Sequence, residues 1–160
     1  LRQDPQALVI GEIRDEETAN IAVRAALTGH LVISTLHAGS CRGVFERLLV
    51  LCKDHAAVAS SLELVLNQRL ARTLCASCAG KGCGECLNTG YHGRAPMVEW
   101  WRMDETVRRQ IVLGDTTGIR PQHTHLESAR ALLREELTNR AEVSRVLGID
   151  VAEIDTTPSP

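Results

Sequence analysis

Aromatic side chains are nearly absent: Phe45, Tyr91, Trp100 and Trp101 are the only ones in 160 residues. So few flat rings argue against a stacking platform for single-stranded nucleic acid and leave the core to aliphatic residues and alanine. Long apolar runs are missing too. Stretches such as Ala7–Ile10 and Leu31–Leu36 are strand-sized, far short of the roughly 20 residues a membrane-spanning helix needs. Charge of one sign is also lacking, since 18 basic against 20 acidic residues give a formal net charge of −2, with no whole-chain attraction to nucleic acid or acidic lipid. Lysine is confined to Lys53 and Lys81. The remaining arginine excess is as readily genomic as it is a need for guanidinium forks. No cationic-then-apolar leader follows Leu1, and the chain reads as a segment of something longer.

What is present is organised as an α/β chain. Ala7-Leu8-Val9-Ile10-Gly11-Glu12-Ile13 is a short apolar run ending at a glycine and a carboxylate, as expected of a central parallel strand buried on both faces. Asp15 is placed to cap a helix over 16–28, with Glu16 and Glu17 in its first turn and Gly29 as terminator. Leu31–Leu36 then closes a βαβ unit. Apolar spacing predicts amphipathic helices over 42–52 and 56–70, an extended arm over 91–101 with Pro96 inside it, and helices near 104–113, 126–137 and 142–147. Residues 155–160 read as a polar tail. Four segments follow: 1–74 as an α/β core, 75–94 as a cysteine element, 95–150 as a helical C-terminal subdomain and 151–160 as a flexible tail.

Two clusters carry chemistry. In parallel α/β sheets, ligands sit beyond the carboxyl ends of the strands. There the first strand presents Gly11-Glu12-Ile13-Arg14-Asp15 and the second Ser34-Thr35-Leu36-His37. If the strands are neighbours, Glu12, Thr35 and His37 converge. The second cluster is Cys75-x2-Cys78-x4-Cys83-x2-Cys86. Its two C-x-x-C pairs can supply four thiolates to one tetrahedral Zn²⁺, and such clustering favours a reducing, cytosolic setting over a disulfide framework. A redox dithiol, a site that has lost its metal with its short spacer, and an iron–sulfur cluster are the competing readings. Cys41 and Cys52 read as small helix-packing residues, His123 and His125 as an exposed loop, and Trp100 and Trp101 as packing for the terminal helices.

The strings Leu1-Arg2-Gln3-Asp4-Pro5, Gly11–Thr18 and Ala25–His37 together resemble the secretion ATPases of type II secretion and type IV pilus assembly. The resemblance weakens but continues through Gln68-Arg69-Leu70, Asn88–Arg94 and Glu136–Thr138 to about residue 148. It implies the C-terminal part of a RecA-like ATPase domain, with Gly11–Asp15 as the Walker B motif and Thr28–His37 as the His box. Glu12 is then the glutamate supporting Mg²⁺ and the attacking water, and His37 the nucleotide-sensing histidine. Gly11, Arg14, Thr28, Gly29 and Thr35 become supporting positions, with Arg14 also a candidate subunit contact. The family often carries a tetracysteine zinc element where Cys75–Cys86 stands, with a much longer insert between its pairs. Ala38-Gly39 replaces the usual Thr-Asn after the His box.

The resemblance further implies ATP as substrate, a homo-hexamer, and a cytoplasmic motor held peripherally at an inner-membrane platform with its adaptor proteins, without direct contact to nucleic acid. No G-x-x-x-x-G-K-[ST] phosphate loop occurs in these residues, so the chain alone is expected not to hydrolyse ATP. Two alternatives stay open: a zinc-dependent nucleic-acid- or protein-binding module, and a degenerate relative that keeps the fold without hydrolysis.

Overall fold

The computed structural model describes residues 6–155; the Leu1–Pro5 string and the tail beyond Asp155 lie outside them. The elements run β1 (Ala7–Ile10), α1 (Glu16–Leu27), β2 (Leu31–Ser34), α2 (Cys41–Leu51), α3 (His55–Ser61), β3 (Leu64–Leu74), β4 (Tyr91–Arg102), α4 (Glu105–Leu113), α5 (His125–Arg134) and α6 (Arg140–Leu147), with a final 3-10 turn at Val151–Ile154. They form two compact units, one made of Leu1–Asn67 and Trp100–Gln122, the other of Gln68–Glu99 and His123–Pro160.

The first unit is built on the βαβ element. β1 and β2 pair in parallel from Ala7 opposite Leu31 to Ile10 opposite Ser34. The connecting α1 starts where expected: the Asp15 carboxylate accepts from the Thr18 N–H, and Glu16 and Glu17 sit in the first turn, where the helix dipole favours negative charge. The helix ends at Thr28, and Gly29 then takes a left-handed φ of 94°. Beneath the sheet, Ala19, Ala22 and Val23 of α1 share a core with Phe45, Leu48, Val58, Val107 and Ile111, and Ile10 and Val32 pack against it. Cys41 and Cys52 belong to the same core.

Three sequence expectations need correction here. β1 is neither central nor buried on both faces: among the described residues its one neighbour is β2, and Val9, Leu31 and Ile33 are exposed. Among the described residues, α1 and the core cover one side of this sheet. The helix expected over 56–70 ends at Ser61, and β3 begins at Leu64. From Leu64 burial alternates for several residues, with Val65 buried between exposed Leu64 and Leu66, so a period of two overrides a run whose leucines also fit helical spacing. Trp101 joins Phe45 in the first unit's core, edge to face at 6.4 Å, rather than serving the helices at the end of the chain.

β3 and β4 form a second two-stranded sheet. Backbone bonds bracket the pair: in the first unit Met103 donates to Glu63, and in the second Cys75 donates to Gly90. The strands are therefore antiparallel, and residues 76–89 form the excursion between them.

In the second unit Ala71, Met97, Ala129, Val143 and Ile154 make a small core. Beside it stands a carboxylate with no exposed surface, Glu142. Its Oε1 accepts from the Arg72 backbone N–H at 2.9 Å and from Arg145 at 2.6 Å, while Oε2 accepts from both Arg72 (2.9 and 2.6 Å) and Arg145 (2.8 Å). The Arg72 guanidinium lies 4.1 Å over the Tyr91 ring, and the Tyr91 hydroxyl meets Asn139, the residue that caps α6. His125, expected on an exposed loop, is instead buried at the start of α5 with Nδ1 3.5 Å from Glu99. The Thr124–Glu127 capping box starts the helix one residue earlier than its apolar pattern.

The Arg145 hydrogen bonds, reinforced against burial by those of Arg72, hold the Glu142 carboxyl far below the usual carboxylate range. A depressed folded-state pKa contributes stability that is present above the unfolded value, near pH 4.3, and lost on acidification below it. Glu142→Ala should lower the unfolding free energy by about 2–3 kcal/mol at neutral pH, tempered because both arginines stay half-hydrated. In urea titrations at pH 7 and at pH 3, the gap between variant and parent should shrink at the lower pH.

Candidate functional site

The first site forms where β1 and β2 end. Thr35 binds both flanks of Glu12: its hydroxyl donates to the Gly11 carbonyl at 2.5 Å, and its own carbonyl accepts from the Ile13 N–H at 2.9 Å. Ile13 is buried in the core. The backbone on either side of Glu12 is thus tied, and the carboxylate leaves a fixed point with 19% of its side chain exposed.

Both carboxylate oxygens are engaged. Oε2 accepts from Arg14 Nε at 2.6 Å and lies 2.5 Å from Nη2, while Oε1 is 3.1 Å from His37 Nε2. The Arg14 hydrogen bond, and secondarily the nearby positive charge, lowers the Glu12 pKa against the opposing effect of burial. An ionised carboxylate of this kind accepts hydrogen bonds from water or from a metal's hydration shell. Arg14 and His37 are themselves 75% and 88% exposed.

The structure brings Glu12, Thr35 and His37 together, as the sequence reading expects if the two strands are neighbours, and it adds Arg14 to the same carboxylate. Thr28 and Gly29 are occupied differently. The Thr28 hydroxyl bonds to the Arg24 and Ala25 carbonyls and to His30, which closes α1. A Cβ at Gly11 would meet nothing within 4 Å, so packing among the described residues does not require glycine there.

The second site lies in the β3–β4 excursion. The sulfurs of Cys75, Cys78, Cys83 and Cys86 all fall within 4.8 Å of one another. The separations Cys75–Cys83, Cys78–Cys86 and Cys83–Cys86 are 3.9, 3.8 and 3.8 Å. Four thiolates about 2.3 Å from one tetrahedral ion stand about 3.8 Å apart, so this donor set fits one Zn²⁺ despite the short spacer.

The backbone explains the fit, because each C-x-x-C turn is followed by two left-handed residues, Ala79-Gly80 after the first and Leu87-Asn88 after the second. These turn the chain so that N–H groups point at sulfur: Gly82 to Cys78 at 3.2 Å, Cys83 to Cys86 at 3.2 Å and Gly90 to Cys86 at 3.3 Å. Burial pushes the Cys75 thiol up to about 11. Burial also acts on Cys86, but there the N–H groups of Cys83 and Gly90, with neighbouring thiols, outweigh it and bring the pKa down to about 6.

Sequence reasoning missed the support beneath this loop. Leu74 donates to the Leu137 carbonyl, and the Thr138 hydroxyl to that of Arg72, so the segment joining α5 to α6 braces β3 just ahead of Cys75. Glu142 and Arg145 stand three apart on one helix, a spacing at which side chains meet, whereas Arg72 lies seventy residues from Glu142 and leaves no local signal.

Comparison with known proteins gives the setting. The profile of the family described as "Type II/IV secretion system protein" matches residues 1–147. The type II secretion system protein E of Klebsiella pneumoniae is 38% identical across 96% of this chain and 37% of its own length. The type IV pilus assembly ATPase PilB of Myxococcus xanthus is 43% identical across 71% of this chain and 25% of its own. Among solved structures, the ATPase DotB of Legionella pneumophila superposes with a TM-score of 0.71 at 21% identity, covering 92% of this chain and 40% of DotB. The pilus retraction motor PilT, solved with bound ADP, gives 0.69 at 22% identity, covering 99% of this chain and 42% of PilT.

The fold is thus mixed α/β, that of the C-terminal part of an ATPase, with a tetracysteine element. The chain belongs to the type II/IV secretion system protein family. It spans roughly a third of the length of the curated relatives it matches.

The cysteine geometry depends on Gly90. A Cβ there would lie 2.5 Å from the Gly80 carbonyl oxygen at a φ of 77°, whereas a Cβ at Gly84 meets nothing within 4 Å. Gly90→Ala should make the four thiols react faster with a thiol reagent under native conditions, and Gly84→Ala should leave their rate as in the parent.

Proposed function

We propose that this chain supplies the strand-end half of the nucleotide-hydrolysing site of a motor ATPase that powers type II secretion or assembly of a type IV pilus or pseudopilus. The observation that carries the reading is the Glu12 carboxylate held 3.1 Å from His37 at the ends of two parallel strands, in a chain whose relatives are named as secretion and pilus ATPases.

Glu12, ionised by its neighbours, accepts a hydrogen bond from the attacking water and turns a lone pair toward the terminal phosphorus of ATP. As the bond from phosphorus to the bridging oxygen breaks, ADP leaves and the water's proton ends on the released phosphate. Glu12, whose pKa is lowered, is a poor permanent proton acceptor. His37, on an exposed turn, donates Nε2–H to a terminal phosphate oxygen and is freed when that phosphate departs. Gly11, Arg14 and Thr35 complete the pocket edge, with Thr35 acting through the backbone. Glu12 is the carboxylate that would hold Mg²⁺ through its hydration shell, and the bound ion would supply neutralising charge to the phosphates.

The 160 residues contain no phosphate-cradling loop of the G-x-x-x-x-G-K-[ST] kind. The chain by itself therefore does not turn over ATP, and the working form is the natural full-length protein, assembled as a hexamer against an inner-membrane platform and its adaptor on the cytoplasmic side. Among the described residues, no helix is long and apolar enough to cross a membrane. Cys75, Cys78, Cys83 and Cys86 hold one structural Zn²⁺, which cross-links a loop with little hydrophobic core of its own.

The test of the motor reading is ATP turnover by the full-length protein under conditions that favour assembly. Glu12→Gln should lower kcat by at least about a hundredfold with the fold intact by circular dichroism, and His37→Ala should lower it by at least about tenfold. Turnover unchanged in Glu12→Gln would overturn the assignment. For the metal, the reduced protein as purified should contain close to one equivalent of zinc, and Cys83→Ser should contain far less; an iron-containing or metal-free protein would overturn it.

A further inference from the structure

Resting on the reading of Glu12 as the water-orienting carboxylate, we propose that Arg14 is a latch: without nucleotide its guanidinium holds the Glu12 carboxylate, and with nucleotide it passes to an oxygen of the terminal phosphate.

The argument starts from the count of donors on Glu12. Oε2 is within 2.6 Å of two Arg14 nitrogens and Oε1 is 3.1 Å from His37, so both oxygens are engaged. Arg14 occupies both acceptor positions of Oε2, which leaves that oxygen no place for a water while the guanidinium stays, and Oε1 keeps one position beside His37. Departure of Arg14 opens Oε2 to the attacking water. Arg14 cannot leave by losing a proton, because guanidinium stays charged in proteins. It can leave by exchange for another anion, and phosphate suits the same planar fork.

Nothing opposes the exchange sterically. Arg14 is 75% exposed, and it sits two residues beyond Glu12 on a backbone anchored at Ile13. Its head can therefore swing while Glu12 stays fixed by the ties at Gly11 and Ile13. A guanidinium facing open solvent and bound to a local carboxylate holds it weakly, which is what a displaceable latch requires. The other positive groups acting on Glu12 are His37 and Arg47, and neither shares Oε2. Arg14 is on this account a positioning residue: it sets when Glu12 is available and follows the terminal phosphate.

One consequence separates a latch from a merely structural ion pair. The guanidinium meets a phosphate that ADP lacks, so in the full-length protein Arg14→Ala should weaken binding of a non-hydrolysable ATP analogue by at least about tenfold while changing ADP binding less than about twofold. Arg14→Lys, which keeps the charge without the fork, should fall between Arg14→Ala and the parent in this readout, and it carries the test if Arg14→Ala fails to fold.

Equal loss of ATP-analogue and ADP affinity would overturn the latch. So would impaired subunit assembly with nucleotide binding unchanged, since Arg14 would then serve a neighbouring copy's carboxylate. These results would leave the motor reading standing as long as Glu12→Gln abolishes turnover. Full turnover in Glu12→Gln would instead remove the motor reading, and the latch with it.

Discussion

Thr35 is the point on which the strand-end site turns. Its hydroxyl fastens the Gly11 carbonyl just before Glu12, and its carbonyl fastens the Ile13 N–H just after it. The parallel register of β1 and β2 brings Thr35 level with that segment, and burial of Ile13 keeps it seated. Without this double tie, Glu12 would be an ordinary solvated carboxylate on a loop. With it, the charge has a fixed origin, and its partners, Arg14 and His37, are the exposed ones. Rigidity in the backbone and freedom in the counter-ions is a sensible division where a group must stay aimed while its hydrogen bonds change hands.

The second unit solves a different problem. A hairpin excursion with almost no apolar content cannot hold itself by burial, so it is held at its tip by four converging sulfurs and at its base by polar contacts. Glu142 is central to the base. Buried carboxylates are expensive unless saturated with donors, and this one takes five hydrogen bonds from Arg72 and Arg145. Arg72 also stacks on Tyr91, which opens the returning strand. One residue thereby joins α6 to both strands beside the cysteine loop.

Much of this is legible in the sequence, and the boundary has physical causes. Local signals read well: Asp15 as a cap, Gly29 as a terminator, the paired C-x-x-C spacing, and carboxylate and histidine at neighbouring strand ends. Burial on both faces of β1 is not found among the described residues, because an apolar strand looks the same in sequence whether or not they cover its second face. The helix expected through Leu70 fails because Leu62, Val65 and Leu66 fit a helical spacing, whereas the strand buries Val65 and leaves Leu64 and Leu66 on its exposed face. His125 looks like loop because a Thr–Glu capping box starts α5 ahead of its apolar stripe. Contacts between distant residues, such as Arg72 with Glu142, leave no local trace. The Arg14 grip on Glu12 is hidden for another reason: residues two apart share a face where the chain is extended, but the sequence does not say which cation the carboxylate takes.

The most direct single measurement is a crystal structure of the natural full-length protein with a non-hydrolysable ATP analogue and Mg²⁺. The account predicts the terminal phosphate against the ends of β1 and β2, within hydrogen-bonding reach of His37, with a water between phosphorus and Glu12 and with Arg14 turned from the carboxylate to the phosphate. A nucleotide seated elsewhere, with Glu12 still gripped by Arg14 and open to solvent, would contradict it.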